Sequence, residues 1–172
     1  MRYLVLTCGP PGAGKSTALK EALDHDIVKI VSRDKIRFGL LHEGDDYFAY
    51  EDEVWAKFIE EIQEGLDNEK YCSVYADATH LTPKARKRVI QALRFPKGVE
   101  TAAINFIVPV EICLERNARR SGRALVPDDA VRNMCRSFQP ATTKEGFSYI
   151  WNADETGYIM TDIQKNKNVG QE

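Results

Sequence analysis

The chain has 172 residues, a net charge of −2, 43% hydrophobic and 29% charged residues, which excludes collagen-like, low-complexity and wholly disordered classes and suits one domain with its own core. No stretch approaches the roughly 20 apolar residues of a membrane helix, and the apolar run after Met1-Arg2 is too short for a secretory signal. Cys8, Cys72, Cys113 and Cys135 stand far apart without a CxxC, as free thiols of a reducing compartment, so a cytoplasmic protein is expected with no membrane contact.

In chain order, Tyr3 to Thr7 is a short apolar run entering a Gly/Pro-rich loop, the pattern of a buried first strand. Ser16 to Asp24 reads as a helix, Ile27 to Val31 as a second strand, and Asp34 to His42 as a short helix ending near Gly44. Val54, Phe58, Ile62 and Leu66 recur at i+4, giving one apolar face of a long helix whose opposite face is acidic. Tyr71 to Ala76 is a third strand. Thr82 and Pro83 form an N-cap and N1 pair opening a basic helix through about Leu93. Ala102 to Val108 is a fourth strand, Pro109 opens a helix through about Arg120, Gly122 to Pro127 is a loop, and a last helix runs to about Phe138. Ser148 to Asn152 and Tyr158 to Thr161 supply a fifth strand or a terminal hairpin, ahead of a polar, frayed tail from Gln164.

Strands alternating with helices imply an α/β fold: a five-stranded, mainly parallel sheet with helices on both faces, in one domain over residues 1–163. Ligands of such sheets bind beyond the carboxyl ends of the strands. Chemistry is therefore expected just after Thr7, Val31, Ala76 and Val108.

After the first strand comes Gly9-Pro10-Pro11-Gly12-Ala13-Gly14-Lys15-Ser16-Thr17. This is G-x-x-x-x-G-K-[ST] between a strand and a helix, the phosphate loop of an NTP-binding protein. Its glycines let backbone N–H groups converge on an anion at a helix N-terminus. Lys15 can reach the β- and γ-phosphates of ATP or another NTP, and the Ser16 hydroxyl can ligate Mg²⁺. The third strand ends at Asp77 followed by Ala78, so there is no Asp-Glu pair to position water, and no Asn-Lys-x-Asp reads guanine. Both features weaken motor-ATPase and GTPase readings.

The second strand delivers Arg33-Asp34-Lys35-Ile36-Arg37 to the same edge. Asp34 can take a proton from an acceptor hydroxyl, and Arg37, three residues on, shares its helical face and suits a substrate phosphate. The plainer alternative is an N-cap aspartate with a surface arginine. Arg116 and Arg120 sit at i, i+4 before Gly122, as in a mobile arginine lid over residues 116–127, or else as a solvated helix end. Charge is segregated: Glu43 to Glu69 holds eleven acids and one base, Lys84 to Arg136 twelve bases and five acids. That pattern fits solvated faces or a polyanion surface. For the Lys84 to Arg94 face the functional alternative is contact with a nucleic-acid backbone. His25 and His42 read as exposed turn residues.

The set Gly9 to Thr17, Arg33-Asp34-x-x-Arg37, Asp77-Ala78-Thr79-His80-Leu81-Thr82-Pro83 with Lys84 to Arg88, and Arg116-Asn117-Ala118-Arg119-Arg120 with Val126-Pro127 resembles the bacteriophage-type polynucleotide 5′-kinases, kinase domain only, within a wider zeta-toxin-like clan. The likeness spans about Leu4 to Phe138. It implies transfer of the ATP γ-phosphoryl to the 5′-hydroxyl of DNA or RNA, in nucleic-acid repair. Lys15, Asp34 and Arg120 would be catalytic. Gly9, Pro10, Gly12, Ala13, Gly14, Lys15, Ser16, Thr17 and Arg116 would bind the nucleotide, with Ser16 on Mg²⁺. Arg33, Asp34, Arg37, Asp77, Thr79 and His80 would receive the acceptor. His80 replaces the family's usual Asn, and no Asp-x-Asp-x-Thr phosphatase signature is present. No obligate protein partner is expected. The rival readings are a kinase of a small metabolite, nucleoside or nucleotide sugar, and a non-catalytic NTP-dependent switch.

Overall fold

A computed structural model describes residues 1–23, 27–157 and 159–160. The middle strand is β1 (Arg2–Cys8), in which Leu4, Val5 and Leu6 are fully buried. Alternate side chains leave it on opposite faces. Leu4 and Leu6 join one core with Val31, Phe58, Ile62 and Val89, while Val5 joins the other with Ala102, Ile104, Phe106 and Val131. A sheet covered on both faces follows from that one run of apolar residues.

The remaining elements are α1 (Lys15–Leu23), β2 (Val28–Ser32), α2 (Arg33–Leu40), α3 (Glu51–Asp67), β3 (Ser73–Asp77), α4 (Pro83–Gln91), β4 (Val99–Phe106), α5 (Val110–Ala118), α6 (Asp128–Ser137), β5 (Tyr149–Ala153) and β6 (Ile159–Met160). The sheet order is β2-β3-β1-β4-β5-β6, with β1 to β5 parallel and β6 antiparallel to β5. The expected α/β fold with a mainly parallel sheet is present, with a sixth strand beyond the expected five because β6 adds an antiparallel edge. The two alternatives for the C-terminal segment are both realised, because β5 completes the parallel sheet and also pairs with β6. Tyr158, Thr161, the tail from Gln164 and His25 lie outside the described residues.

Local signals set several boundaries. The Thr82 hydroxyl caps α4 by accepting from Ala85 N at 3.2 Å, with Pro83 at the first helical position. Val54, Phe58, Ile62 and Leu66 are the buried stripe of α3. Arg2 closes the other end of that helix, donating from Nη2 to the Leu66 and Asn68 carbonyls at 2.8 Å each, where carbonyls lack helical partners. The expected loop after α5 carries a 3₁₀ turn at Gly122–Ala124.

One tie was invisible in the sequence. Arg86 of α4 is wholly buried and meets Glu145 with Nε and Nη2 at 2.8 Å each, while Nη1 donates to the His80 and Gln139 carbonyls. This bidentate pair joins α4, the segment after β3 and the segment after α6. The basic face read at Lys84 to Arg94 therefore does not include Arg86.

Candidate functional site

The loop between β1 and α1 is built around close approach. Gly12 has φ +80°, and a Cβ there would stand 2.3 Å from the Cys113 carbonyl oxygen of α5. Gly14 has φ +94°, with the Arg116 Nη1 3.3 Å from where its Cβ would be. Gly9 N donates to the Thr79 carbonyl at 2.8 Å, tying the loop to the end of β3. Pro10 and Ala13 are buried and Ser16 and Thr17 exposed at the start of α1. The Lys15 amine donates to the Gly9 and Pro10 carbonyls at 2.9 and 2.8 Å. Burial draws its pKa down to about 8, against the pull of the Asp77 carboxylate. Carbonyl oxygens hold this ammonium where phosphate oxygens would compete for it. The glycine cradle, the helix N-terminus and the Lys15 and Ser16 side chains fit an NTP with Mg²⁺.

At the end of β3, Asp77 is held above the usual carboxylate range by burial, opposed by Lys15 and by the Thr7 hydroxyl 3.3 Å away. Asp34 and Arg120 both act electrostatically on Lys15, Asp34 also on Asp77. Four of the expected site residues thus gather at the carboxyl edge of the sheet.

Asp34 is exposed in the first turn of α2 and accepts from the Tyr47 hydroxyl at 3.1 Å. Burial first, and then the charge of Asp34, push the Tyr47 phenol above its ordinary pKa. The helix cap is Ser32 rather than Asp34, and Arg37 is 5% exposed. Both halves of the plainer alternative are therefore absent. Arg37 is not free, however. Its Nη1 donates to Glu51 Oε2 and to the Tyr47 carbonyl, and its guanidinium lies over the Tyr47 ring. Arg33 donates to the other Glu51 oxygen. Although partial burial acts in the opposite direction, these arginines hold the Glu51 carboxyl below the usual range. Arg33 and Arg37 each keep a buried Nε without a partner. Glu51 was missed in the sequence because it is one acid among eleven in its segment.

His80 departs from the expected acceptor contact. It is 5% exposed, has φ +41°, and its Nδ1 lies 2.7 Å from the Thr7 carbonyl oxygen. Burial takes its pKa down to about 4, so the ring is neutral, donating from Nδ1 and leaving Nε2 unpartnered. It packs 6.3 Å from Phe58 as an internal strut, not as a surface on which an acceptor could stack. Thr79, half-buried, contributes its carbonyl to the phosphate loop.

Arg116 spans from Gly12 O, at 3.5 Å from Nη1, to the Glu155 carbonyl. Arg120 is exposed beyond the end of α5, and Gly122 has φ +59°. The buried Asn117 fastens the base of this segment, exchanging hydrogen bonds with Val126 of 2.6 and 3.1 Å. Arg123 donates to the His42 carbonyl across the site. Between these segments lies a cavity of about 470 Å³ lined by Leu41, Tyr47, Phe48, Leu125, Pro127 and Met134. Among the described residues no cluster of three acid, imidazole or thiol groups forms a metal cage, and no helix is long and apolar enough to cross a membrane.

A parallel sheet with a phosphate loop after its first strand, a carboxylate after its second and arginines after its fourth defines a P-loop kinase fold. A family model described as an AAA domain matches residues 4–141. The chain belongs to that family. Among solved structures it is similar to a fungal RNA kinase (14% identity, TM-score 0.61, 94% of this chain and 76% of that one). It is also similar to a chain of the Pnkp1/Rnl/Hen1 RNA repair complex (19%, 0.66, 99% and 51%), so it spans about half of that chain. A sugar kinase from a Janibacter species matches comparably (15%, 0.60, 91% and 86%). At these identities the likeness shows the fold.

Proposed function

We propose that the chain transfers the γ-phosphoryl group of ATP, or another NTP, to the 5′-hydroxyl end of DNA or RNA. The observation that carries this reading is the exposed Asp34 carboxylate, which shares the sheet edge with Lys15 and lies in the same helix as Arg37, with Arg33 beside it. An acid so placed can accept the proton of an alcohol as that alcohol attacks in line. The adjoining guanidinium groups favour an alcohol that carries a phosphate of its own.

In this reading Tyr47 orients Asp34 through its hydroxyl. Asp34 removes the acceptor proton, and Arg37, fixed by Glu51, presents its remaining N–H groups to the neighbouring phosphate. Lys15 leaves the Gly9 and Pro10 carbonyls for the β- and γ-phosphates, while Arg116 and Arg120 neutralise charge as it shifts toward the leaving group. Mg²⁺ on the Ser16 hydroxyl would add charge neutralisation there.

The 470 Å³ apolar cavity beside Tyr47 favours one second reading, a kinase of a small metabolite, nucleoside or nucleotide sugar. Incubation with γ-labelled ATP and either a 5′-hydroxyl oligonucleotide or a metabolite panel separates the two. Label on the oligonucleotide is the expected result. Label confined to a metabolite overturns the polynucleotide reading.

A further inference from the structure

The polynucleotide reading, on which this inference rests, leaves open where the acceptor strand runs beyond its reacting end. The Trp55 indole of α3 lies beneath two guanidinium groups, Arg88 of α4 at 3.9 Å and Arg33 of α2 at 5.6 Å from the ring centroid. Three elements meet at one ring. Arg33 precedes Asp34 and shares Glu51 with Arg37, so the inner end of this ladder is at the acceptor edge. Its outer end is on α4.

There the helix divides its bases. Arg86 turns inward to Glu145. Lys84, Lys87 and Arg88, at i, i+3 and i+4, share the outward face and are all exposed. Among the described residues, none of these three makes an ion pair. Clustered unpaired cations repel one another, and a polyanion relieves that repulsion. Arg88 is held over the Trp55 ring yet stays exposed, and a guanidinium so anchored is suited to gripping phosphate. The exposed Asp52, three residues before Trp55 on α3, repels phosphate from that helix and favours a path along α4.

We propose that the Arg33–Trp55–Arg88 ladder, with Lys84 and Lys87, is the track on which a single-stranded polynucleotide acceptor lays the phosphates 3′ of its reacting end. A small metabolite has no use for such a track. Readout is of backbone charge and not base identity, because the exposed groups along the track are the cations Lys84, Lys87 and Arg88, which contact phosphate.

The test compares wild type with a Lys84→Ala/Lys87→Ala/Arg88→Ala variant on a nucleoside 3′-monophosphate, a trinucleotide and an octanucleotide, each with a 5′-hydroxyl. The changes are on exposed side chains, and unfolding curves verify the fold. Wild-type kcat/KM is expected to rise with acceptor length. The triple variant is expected to lose roughly ten-fold on the octanucleotide while staying within about two-fold on the monophosphate, and its log–log salt slope is expected to shrink by about 2. Arg88→Lys, which keeps the charge, is expected to keep the slope. Wild-type activity that is independent of length, or a variant that loses equally on all acceptors or on none, overturns the track while the kinase reading stands. Wild type that phosphorylates none of the three acceptors overturns the polynucleotide reading and the track with it.

Discussion

The carboxylate of Glu51, the first residue of α3, holds the guanidinium of Arg37 from α2, with Arg33 on its second oxygen. The arginine that the sequence assigns to a substrate phosphate is thus already oriented by an acid of the chain. A fork that is fixed before binding loses less entropy when it grips phosphate. Glu51→Gln is expected to raise the acceptor KM by about ten-fold while leaving ATP affinity unchanged. Steady-state kinetics with each substrate varied in turn check this, and an unchanged acceptor KM removes the positioning role.

Asp34→Asn removes the proton acceptor and keeps the shape of the side chain. Transfer is expected to fall by about 10²–10⁴-fold, with ATP binding by calorimetry preserved. Undiminished turnover would exclude Asp34 as the general base.

Lys15 has its pKa lowered to about 8 by burial. In the unfolded chain the amine keeps its higher pKa, so the unfolded state binds more protons between about pH 8 and the ordinary lysine range, and stability rises with pH across that window. Nucleotide affinity moves the other way, because the ammonium that phosphate needs is lost above pH 8. ATP affinity is expected to drop by up to about ten-fold per pH unit there, with proton uptake on binding. Lys15→Met should flatten that profile. A wild-type affinity that is flat through pH 9 would contradict it.

Arg86 is fully buried and doubly bonded to Glu145. Arg86→Ala leaves a half-buried carboxylate and two carbonyls without their donor, at a cost of about 3–5 kcal/mol. Urea unfolding measures the loss. A loss below about 1 kcal/mol would mean that water replaces the guanidinium at little cost.

The sequence alone determined what depends on neighbours along the chain. The apolar run of β1, the stripe Val54, Phe58, Ile62 and Leu66, the Thr82-Pro83 cap and the glycine loop with Lys15 all lie where the residue pattern put them, because period, capping and φ are local properties. The tertiary structure decided what depends on packing between distant segments. It turned Arg86 inward while Arg88 stayed out, buried His80 against Phe58 where a surface contact was expected, joined Arg37 to Glu51, and seated Trp55 beneath Arg33 and Arg88. None of these pairings has a spacing signal, since each partner comes from a different element. Only the closure of the sheet and its helices brings them within bonding distance, where burial and charge set their chemistry.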